Sequence, residues 1–368
     1  MKITEVKATV LASKYDQPIR FDHMELTERR IILVRVYTDE GVVGIADIDG
    51  APAGDNACAD ILEKTFAPVL IGKDPLDIGA RGRDMFYLLD KLGRYRSLES
   101  YVLGAVDTAL WDILGKVSGQ PIHRLLGARR HEVEAYASLG QVGVDRIADE
   151  VGKRAEEGFY GVKIRIGFDA SQDEELVKRA RAVLKPTDRT KLMADVNSGW
   201  RRAHALQNAK RLEPYELFWL EEPLPPYDLP GYAQLAKELT TPVTLGEHEI
   251  FNQYDARDIL LAGAADILQP DLRQGISETL QIANLARAWD LPCIPHFFGP
   301  GIRFAAQLQL LGAIDNYLLC EYPVAHDPIR FELTDPPMVA ENGKVTIPQG
   351  PGLGVTLNEA TVKKFAVA

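Results

Sequence analysis

The sequence predicts an α/β fold in which a (β/α)₈ barrel follows a smaller α+β domain. Short apolar or β-branched runs alternate with segments of helical periodicity, and this alternation is typical of a parallel sheet covered by helices. An ionisable residue also recurs at the ends of successive apolar runs, at intervals of 24 to 32 residues by subtraction. Such an interval holds one strand, one helix and two loops. The recurring residues are Lys163, Asp195, Glu221, Glu247, Asp271, His296 and Glu321.

Eight apolar runs are predicted to form the buried parallel strands of a TIM-type barrel. In sequence order they cover residues 133–138, 161–166, 191–194, 217–220, 243–246, 267–269, 293–295 and 317–320. The clearest helical patterns between them cover 174–184, 203–212, 276–289 and 305–314. Because the active site of such a barrel lies where its strands end, the seven ionisable residues are predicted to share one mouth.

The region before the barrel has a different pattern, in which strand-like runs come first and helical patterns follow. Strands are predicted at 3–11, 30–37 and 42–46, and helices at 55–71, 77–92 and 98–118. Strands followed by helices predict an α+β capping domain. The predicted division is a capping domain over 1–126, a catalytic barrel over 127–330 and a C-terminal tail over 331–368. An edge strand at 344–348 is predicted to return the tail to the capping domain.

Two polar segments of the capping domain, 13–25 and 49–55, have two interpretations. They are ordinary surface connections, or they close over the barrel mouth and select the substrate. Loops on a rigid scaffold often carry specificity, and lids exclude water. His23 in the first segment could contact a substrate, although a single loop histidine is more often only solvated.

Composition excludes some functions without choosing one. The chain has 368 residues, 46% of them hydrophobic, which is enough for a large core. Its net charge of −11 argues against nucleic acid or an anionic membrane as a partner. Neither a membrane-spanning run nor a cleavable leader is recognisable, so a cytoplasmic location is expected. Cys58, Cys293 and Cys320 are predicted to be reduced packing residues, because their number and spacing suit neither a disulfide framework nor a metal site.

Asp195, Glu221 and Glu247 end three consecutive predicted strands, so their carboxylates are expected to stand side by side. Three bare carboxylates would repel one another and raise one another's pKa. A divalent cation removes that repulsion, and oxygen ligands without His or Cys favour Mg²⁺, or Mn²⁺, over Zn²⁺. The alternative is that lysines or arginines pair with these acids, which explains one of them more easily than three in register.

Two further pairs flank the carboxylate trio. Lys163 and Arg165 are two residues apart on one predicted strand, so both side chains are expected to reach the barrel interior. Asp271 and His296 end neighbouring strands. There the carboxylate can bind one ring nitrogen, set the tautomer and raise the basicity of the other nitrogen. The alternative is a purely structural His–Asp pair.

These residues lie in motifs that together resemble the enolase superfamily, and within it the mandelate racemase subgroup, over nearly the whole chain. The motifs are Ala194-Asp195-Val196-Asn197, Leu220-Glu221-Glu222-Pro223, Gly246-Glu247-His248, Gln269-Pro270-Asp271 and Pro295-His296-Phe297. The resemblance implies that the three carboxylates bind Mg²⁺, which holds the substrate carboxylate while a base removes the proton on the adjacent carbon. Relatives are often octameric, so it also implies a homo-oligomer, from dimer to octamer.

The residue that follows strand six indicates the subgroup. Relatives that form muconolactones, epimerise dipeptides or make succinylbenzoate typically have a lysine base there, whereas this chain has Asp271, with His296 one strand later. Mandelate racemase has a second lysine where this chain has Arg165. A guanidinium stays protonated, so Arg165 is a poor base and a good hydrogen-bond donor. Because a racemase needs a base on each face of its substrate, the arginine favours elimination.

The favoured function is therefore a Mg²⁺-dependent lyase that dehydrates an aldonate or aldarate, the commonest activity of this subgroup, to a 2-keto-3-deoxy acid. His296 is predicted to be the general base and acid, and Asp271 to orient it. Lys163 is predicted to stabilise the negative charge that develops on the substrate carboxylate. Glu321 matches an acid that hydrogen-bonds this carboxylate in several relatives, and it could donate if protonated.

Three polar residues complete the predicted site. Arg165 and His248 are predicted to contact the substrate, and Asn197 to lie beside the metal and the substrate carboxylate. For His248 and Asn197, hydrogen bonds that support neighbouring residues are an equally good interpretation.

Removal of the proton next to the carboxylate gives an enediolate, and the sequence leaves open other reactions of this intermediate. A cycloisomerase acting on a sugar-acid lactone or an anhydro sugar acid would expel a ring oxygen, and a racemase or epimerase would return the proton on the other face. Lys163 could also act as the first base. A non-catalytic relative should have lost a metal ligand or an acid–base residue, and a metal-dependent aldolase would leave the capping domain and the His–Asp pair unexplained.

Overall fold

The computed structural model describes residues 1–21, 24–50, 54–91, 93–184 and 189–367. The chain begins with three antiparallel strands, β1 (Ile3–Phe21), β2 (Met24–Thr38) and β3 (Val43–Asp49), hydrogen-bonded in that order. No helix in the described ranges has both the length and the apolar character needed to cross a membrane.

The polar segment 13–25 is mostly strand and not a loop. β1 and β2 pair up to Lys14 and, after an irregularity, again from Ile19 to Phe21, so the pairing of the two strands runs through most of this segment. His23 lies outside the described residues, as do residues 51–53 of the second polar segment. That these segments select the substrate stays a prediction.

Helices follow the capping sheet. α1 (Asp55–Asp60) continues through a π-helical stretch (Ile61–Phe66) into α2 (Ala67–Leu70), where the sequence predicts one helix over 55–71. Pro68 has no backbone N–H for a regular helical bond, which accounts for the wider turn before it. The remaining capping helices are α3 (Ile78–Lys91), α4 (Leu98–Ser118) and α5 (Ile122–Leu125).

The second part of the chain is a (β/α)₈ barrel, as predicted. Its elements are β4 (Glu132–Ser138), α6 (Ile147–Glu156), β5 (Gly161–Arg165), α7 (Ala170–Val183), β6 (Lys191–Asp195), α8 (Arg202–Leu212), β7 (Leu220–Glu221), α9 (Leu229–Glu238), β8 (Val243–Leu245), α10 (Gln253–Ala262), β9 (Ile267–Leu268), α11 (Gly275–Ala288), α12 (Gly301–Leu311) and β10 (Cys320–Pro323). The parallel strands pair in the order β10-β4-β5-β6-β7-β8-β9. Short 3₁₀ turns cover Glu213–Tyr215 and Leu272–Gln274.

The predicted seventh strand, 293–295, forms no continuous ladder. Cys293 makes an isolated bridge with Leu268, and His296 makes one with Asp271. Pro292 and Pro295 supply no backbone N–H, so a regular ladder cannot continue through this segment. The segment nevertheless stands between β9 and β10 and closes the barrel, because the N–H of Cys293 donates to the carbonyl of Asn316.

The tail contains α13 (Pro328–Glu332), β11 (Thr334–Asp335), β12 (Lys344–Thr346), β13 (Thr356–Leu357) and α14 (Glu359–Phe365). The prediction that the 344–348 strand returns to the capping domain is wrong, because β12 pairs antiparallel with Glu132–Glu134 of β4. These residues precede the part of β4 that pairs with β10 and β5. Their backbone N–H and C=O groups are therefore not used by those strands and can pair with β12. The end of the tail does reach the capping sheet, where Ala366 forms a bridge with Leu11. The predicted domain boundaries stay predictions.

Helix α4 contacts the barrel directly at Gly104. A Cβ atom at Gly104 would lie 2.1 Å from the carbonyl oxygen of Arg273, in the loop that follows β9. A glycine is therefore required here, and it brings the capping helix against the backbone that carries part of the site described below.

A buried carboxylate also joins the capping domain to the tail. Asp112 of α4 accepts hydrogen bonds from the backbone N–H groups of Ile45 (3.0 Å) and Leu353 (2.9 Å) and pairs with Lys116 at 2.5 Å. Its side chain is completely buried. One carboxylate thus accepts hydrogen bonds from donors in β3, α4 and the tail.

We expect Asp112→Ala to lower the free energy of unfolding by at least about 2 kcal/mol, because it leaves buried N–H groups without an acceptor. Urea denaturation measures this. Asp60→Ala is the matched control, since Asp60 pairs with Lys64 at the same i,i+4 spacing but on the surface, and it should cost less than about 1 kcal/mol. Equal losses for the two variants would contradict the role given to Asp112.

Candidate active site

Lys163 stands at the centre of the predicted carboxylates and is fully buried. Its Nζ lies 2.9 Å from Oε1 of Glu321 and 3.4 Å from Oδ2 of Asp195, and it is closer still to Oε1 of Glu221. Burial alone would lower the pKa of the ammonium, but Glu221, Glu321 and Asp195 outweigh it and raise the pKa of Lys163. Lys163 is therefore held as a cation, which suits charge stabilisation better than proton abstraction.

The carboxylates of Asp195 and Glu221 have opposite pKa shifts. Burial disfavours both anions, yet Arg165 and Lys163 lower the pKa of Asp195 to about 2. For Glu221, burial and the neighbouring acids prevail over Lys163 and raise the pKa to about 8. The other oxygen of Glu221, Oε2, accepts hydrogen bonds from Trp219 and Gln269, to which the sequence reasoning gave no role.

This cluster holds more acid than its cations neutralise, which is the observation that favours a divalent cation. Three acids, Asp195, Glu221 and Glu321, surround two cations, Lys163 and Arg165. The acids offer only oxygen ligands, which Mg²⁺ prefers. The acids present therefore suit Mg²⁺, and the assignment of Asp195, Glu221 and Glu247 as its ligands stays a prediction.

The three predicted metal ligands, Asp195, Glu221 and Glu247, do not converge on one point in this structure. Among the described residues, the two groups that bring three ligand atoms within 4.8 Å of one another are Glu222, Glu247 and His248, and Glu247, Asp271 and His296. Asp195 and Glu221 are in contact with each other and with Lys163. The carboxylate of Glu247 points instead to Nε2 of His296, at 3.1 Å.

Arg165 and Asn197 contact each other. Nη1 of Arg165 donates to Oδ1 of Asn197 at 2.8 Å and also pairs with Oδ2 of Asp195. The backbone N–H of Asn197 donates to Oδ1 of Asp195 at 2.8 Å, with Asn197 at a positive φ of 47°, a conformation that asparagine tolerates. Burial would lower the pKa of Arg165, but Asp195, Glu221 and Glu321 raise it. Arg165 cannot act as a base here.

The structure brings Asp271 and His296 together with the predicted orientation. Nδ1–H of His296 donates to Oδ2 of Asp271 at 2.7 Å, and both side chains are buried. The other ring nitrogen, Nε2, faces Glu247. Despite burial, which lowers it, the pKa of His296 is raised to about 9 by Glu247, Glu321 and Asp271. The Asp271 contact places a proton on Nδ1 and leaves Nε2 facing Glu247.

Glu321 and His248 each contact neighbouring residues of the site. Glu321 accepts from the backbone N–H of Phe297 at 2.9 Å. Burial would raise its pKa, but Lys163 and His296 lower the pKa to about 2. This shift favours the anion of Glu321, and the donor role that the sequence allowed for a protonated Glu321 stays a prediction. His248 is half-exposed and its Nδ1 lies 2.9 Å from Glu222, which matches the supporting role left open above.

Arg273, which sequence reasoning missed, contacts Asp271. The backbone N–H of Arg273 donates to Oδ1 of Asp271 at 2.7 Å, and its Nε lies 3.1 Å from Oδ2. Arg273 also stacks on the ring of Tyr101, 5.1 Å away, which belongs to capping helix α4. The sequence signal that could have identified Arg273 is its position two residues after Asp271. No sequence signal placed Tyr101, because it depends on how α4 docks on the barrel.

Comparison with known proteins agrees with this geometry. Residues 146–361 match the family model described as "Enolase C-terminal domain-like", and residues 3–127 match the N-terminal domain of the mandelate racemase / muconate lactonizing enzyme family. The chain belongs to the enolase superfamily, in its mandelate racemase subgroup.

Individual relatives are similar along their whole length. D-galactarolactone cycloisomerase from Agrobacterium fabrum is 36% identical over 99% of both chains. Arabinonate dehydratase from Saccharolobus solfataricus is 29% identical over 91% of this chain and 90% of the relative. The crystal structure of an enolase from Bradyrhizobium complexed with magnesium and mandelic acid is 28% identical and superposes with a TM-score of 0.89, covering 100% of this chain and 99% of that chain. The protein is therefore an enzyme of the enolase superfamily.

Proposed function

We propose that this enzyme is a Mg²⁺-dependent hydro-lyase that removes the proton next to the carboxylate of an aldonate or aldarate and eliminates the adjacent hydroxyl. The observation that carries the proposal is the buried His296–Asp271 pair, with Nε2 free of Asp271. It stands at the same mouth as the cationic Lys163 and the acids around it.

The enzyme's own residues can carry out each proton transfer. Nε2 of His296, in the neutral form of the imidazole, takes the proton from the carbon next to the carboxylate. Because the pKa of His296 is raised to about 9, the share of this form grows as the pH rises toward that value. The bond between the neighbouring carbon and its hydroxyl then breaks, the electron pair leaves with the oxygen, and the imidazolium returns its proton to make water. The enol that remains rearranges to a 2-keto-3-deoxy acid. Asp271 keeps Nδ1 protonated through both steps, so only Nε2 exchanges protons.

Charge stabilisation decides whether the first step is possible, since the proton next to a carboxylate is very weakly acidic. Mg²⁺ held by Asp195, Glu221 and Glu247 would bind the substrate carboxylate and withdraw charge from it. Lys163, kept cationic by its neighbours, supplies a fixed positive charge in buried surroundings. The Bradyrhizobium neighbour, whose structure holds magnesium with a carboxylic acid, supports this assignment.

Arg165 supports elimination over racemisation. A racemase needs a base on each face of the substrate, and the group in the second position is a guanidinium already paired with Asp195 and Asn197. The dehydratases among the relatives, such as the arabinonate enzyme, also favour elimination.

A second candidate is a cycloisomerase. The observation that favours it is the D-galactarolactone cycloisomerase relative, which is 36% identical over 99% of both chains. The same proton abstraction would then expel the ring oxygen of a lactone or anhydro sugar acid. That oxygen stays attached to the carbon chain, so the product has the mass of the substrate and no water is released.

Proton NMR in D₂O with Mg²⁺ and a panel of aldonates, aldarates and their lactones separates these reactions. We expect the C2 proton to disappear from an acyclic sugar acid and 2-keto-3-deoxy signals to appear, with the loss of one water in the mass spectrum. Turnover of lactones alone, without a change of mass, would select the cycloisomerase. Exchange of the C2 proton with an unchanged or epimerised skeleton would contradict elimination and the argument from Arg165.

A further inference from the structure

Arg303 joins the capping domain to the predicted acid–base pair. It lies in the first turn of α12 and is 5% exposed. Its backbone N–H donates to Oδ2 of Asp47 at 2.8 Å, and its Nη2 pairs with Oδ1 of Asp49. Both aspartates belong to capping strand β3. On its other side, Nη1 of Arg303 lies 3.8 Å from Oδ1 of Asp271.

Asp271 is therefore contacted on each of its oxygens. Oδ2 accepts from His296 and lies near Nε of Arg273. Oδ1 accepts from the backbone N–H of Arg273 and faces Arg303. Arg273 follows Asp271 by only two residues and moves with the same loop. Arg303 comes from a different helix and is anchored to the capping domain. It can therefore fix the position of the Asp271 carboxylate relative to that domain.

We propose that Arg303 is a positioning residue for catalysis, which fixes the orientation of Asp271, and through it His296, relative to capping strand β3. The inference rests on the proposed function, in which His296 is the base. The guanidinium suits this task, because one planar group hydrogen-bonds Asp49 and, in a different direction, forms an ion pair with Asp271 at 3.8 Å, beyond hydrogen-bond distance. A displacement of the base by about 1 Å can cost about 10²-fold in rate, so the anchoring matters to turnover.

This role differs from direct recognition of the substrate. Arg303 is almost fully buried, and the acidic groups of β3 and Asp271 occupy its surroundings. A residue that read a substrate hydroxyl would change KM when removed. A residue that only orients the base should change kcat, because substrate binding is untouched while the proton transfer is misaligned.

The test uses Arg303→Gln, with Arg303→Lys as the conservative variant, in the full-length protein with Mg²⁺ and the substrate found as above. We expect Arg303→Gln to lower kcat by about 10- to 100-fold, with KM within about threefold of the wild-type value. Arg303→Lys keeps the charge without the planar guanidinium and should recover part of the rate. Arg35→Gln is the matched control, because Arg35 is also a capping-domain arginine, paired with Glu359 in the tail, and its loss should leave kcat unchanged.

A second readout does not depend on turnover. The Nδ1 proton of His296, identified among the seven histidines by its absence in His296→Asn, should give a hydrogen-bonded NMR signal. In Arg303→Gln this signal should move upfield and exchange faster with water, while Arg35→Gln leaves it unchanged. If no sugar acid is turned over, the proposed function fails but this readout still tests the positioning role.

Two results would overturn the inference. A folded Arg303→Gln protein with unchanged kcat and an unchanged His296 signal would show that the contact is only structural. A large rise in KM with unchanged kcat would show that Arg303 binds substrate.

Discussion

Replacing His296 by asparagine should lower kcat for the sugar acid by about 10²- to 10⁴-fold, the range that general acid–base catalysis contributes. Asparagine keeps a polar group that can contact Asp271 but cannot accept and return a proton at neutral pH. The same substitution should abolish exchange of the C2 proton in D₂O, because that exchange needs only the abstraction step. Proton NMR measures both quantities in one sample.

The control for this variant is His204→Asn, because His204 is an exposed histidine on α8 outside the site. It should retain the wild-type rate. If His296→Asn still exchanged the C2 proton while losing product formation, another group would be the first base. Lys163 would then be the next residue to test, despite the raised pKa that its neighbours impose.

Replacing Glu221 by glutamine should remove both turnover and the stabilisation of the fold by Mg²⁺. A cation that binds the folded protein raises its free energy of unfolding by about 2.7 kcal/mol at a concentration one hundred times Kd. Glutamine keeps the shape of the side chain, and its oxygen can still accept from Trp219 and Gln269, but it no longer supplies a charged ligand. Thermal unfolding with and without MgCl₂ measures the effect without any substrate.

Glu238→Gln controls for the loss of a carboxylate, since Glu238 is exposed at the end of α9. This variant should show the same rise in Tm with Mg²⁺ as the wild type. A Glu221→Gln protein that is still stabilised by Mg²⁺ to the wild-type extent would place the cation elsewhere. The groups formed by Glu247 with Glu222 and His248, or with Asp271 and His296, would then be the candidates.

The barrel could be predicted because its signal is local and repeated. Each buried strand is a short apolar run that ends near an ionisable residue, as at Asp195, which is the last residue of β6, and Glu221, which is the last residue of β7. The pairing of Asp271 with His296 could also be predicted, since consecutive strands of a parallel barrel are neighbours.

Other parts of the structure depend on contacts between distant segments. The pairing of β12 with β4 could not be predicted, because the short strand 344–346 suits any free edge. Arg273 resembles a surface arginine in the sequence, and its contact with Tyr101 depends on how α4 docks on the barrel. The pairing of Arg303 with Asp49 likewise depends on how β3 docks there. The alternation of the hairpin over 13–25 is obscured by its polar residues, so it looked like a loop.

The individual contacts of the site lay beyond the sequence as well. The order of residues places Lys163, Glu221 and Glu321 at one barrel mouth but does not say which acid forms an ion pair with the lysine. Lys163 contacts all three neighbouring acids, including Asp195. The lowered pKa of Glu321 follows from that contact and from His296, so it required the three-dimensional arrangement.

The prolines on either side of Cys293 bear on how this chain could diverge. They leave His296 on a stretch of backbone with isolated bridges instead of a ladder, and side chains such as Glu321, which accepts from the N–H of Phe297, help to hold it. A substitution among those side chains can shift the base without breaking the hydrogen bonds that keep β4 to β9 together. The barrel can thus be conserved while substitutions at its mouth change the reaction. This is one physical route by which a single fold comes to catalyse different reactions.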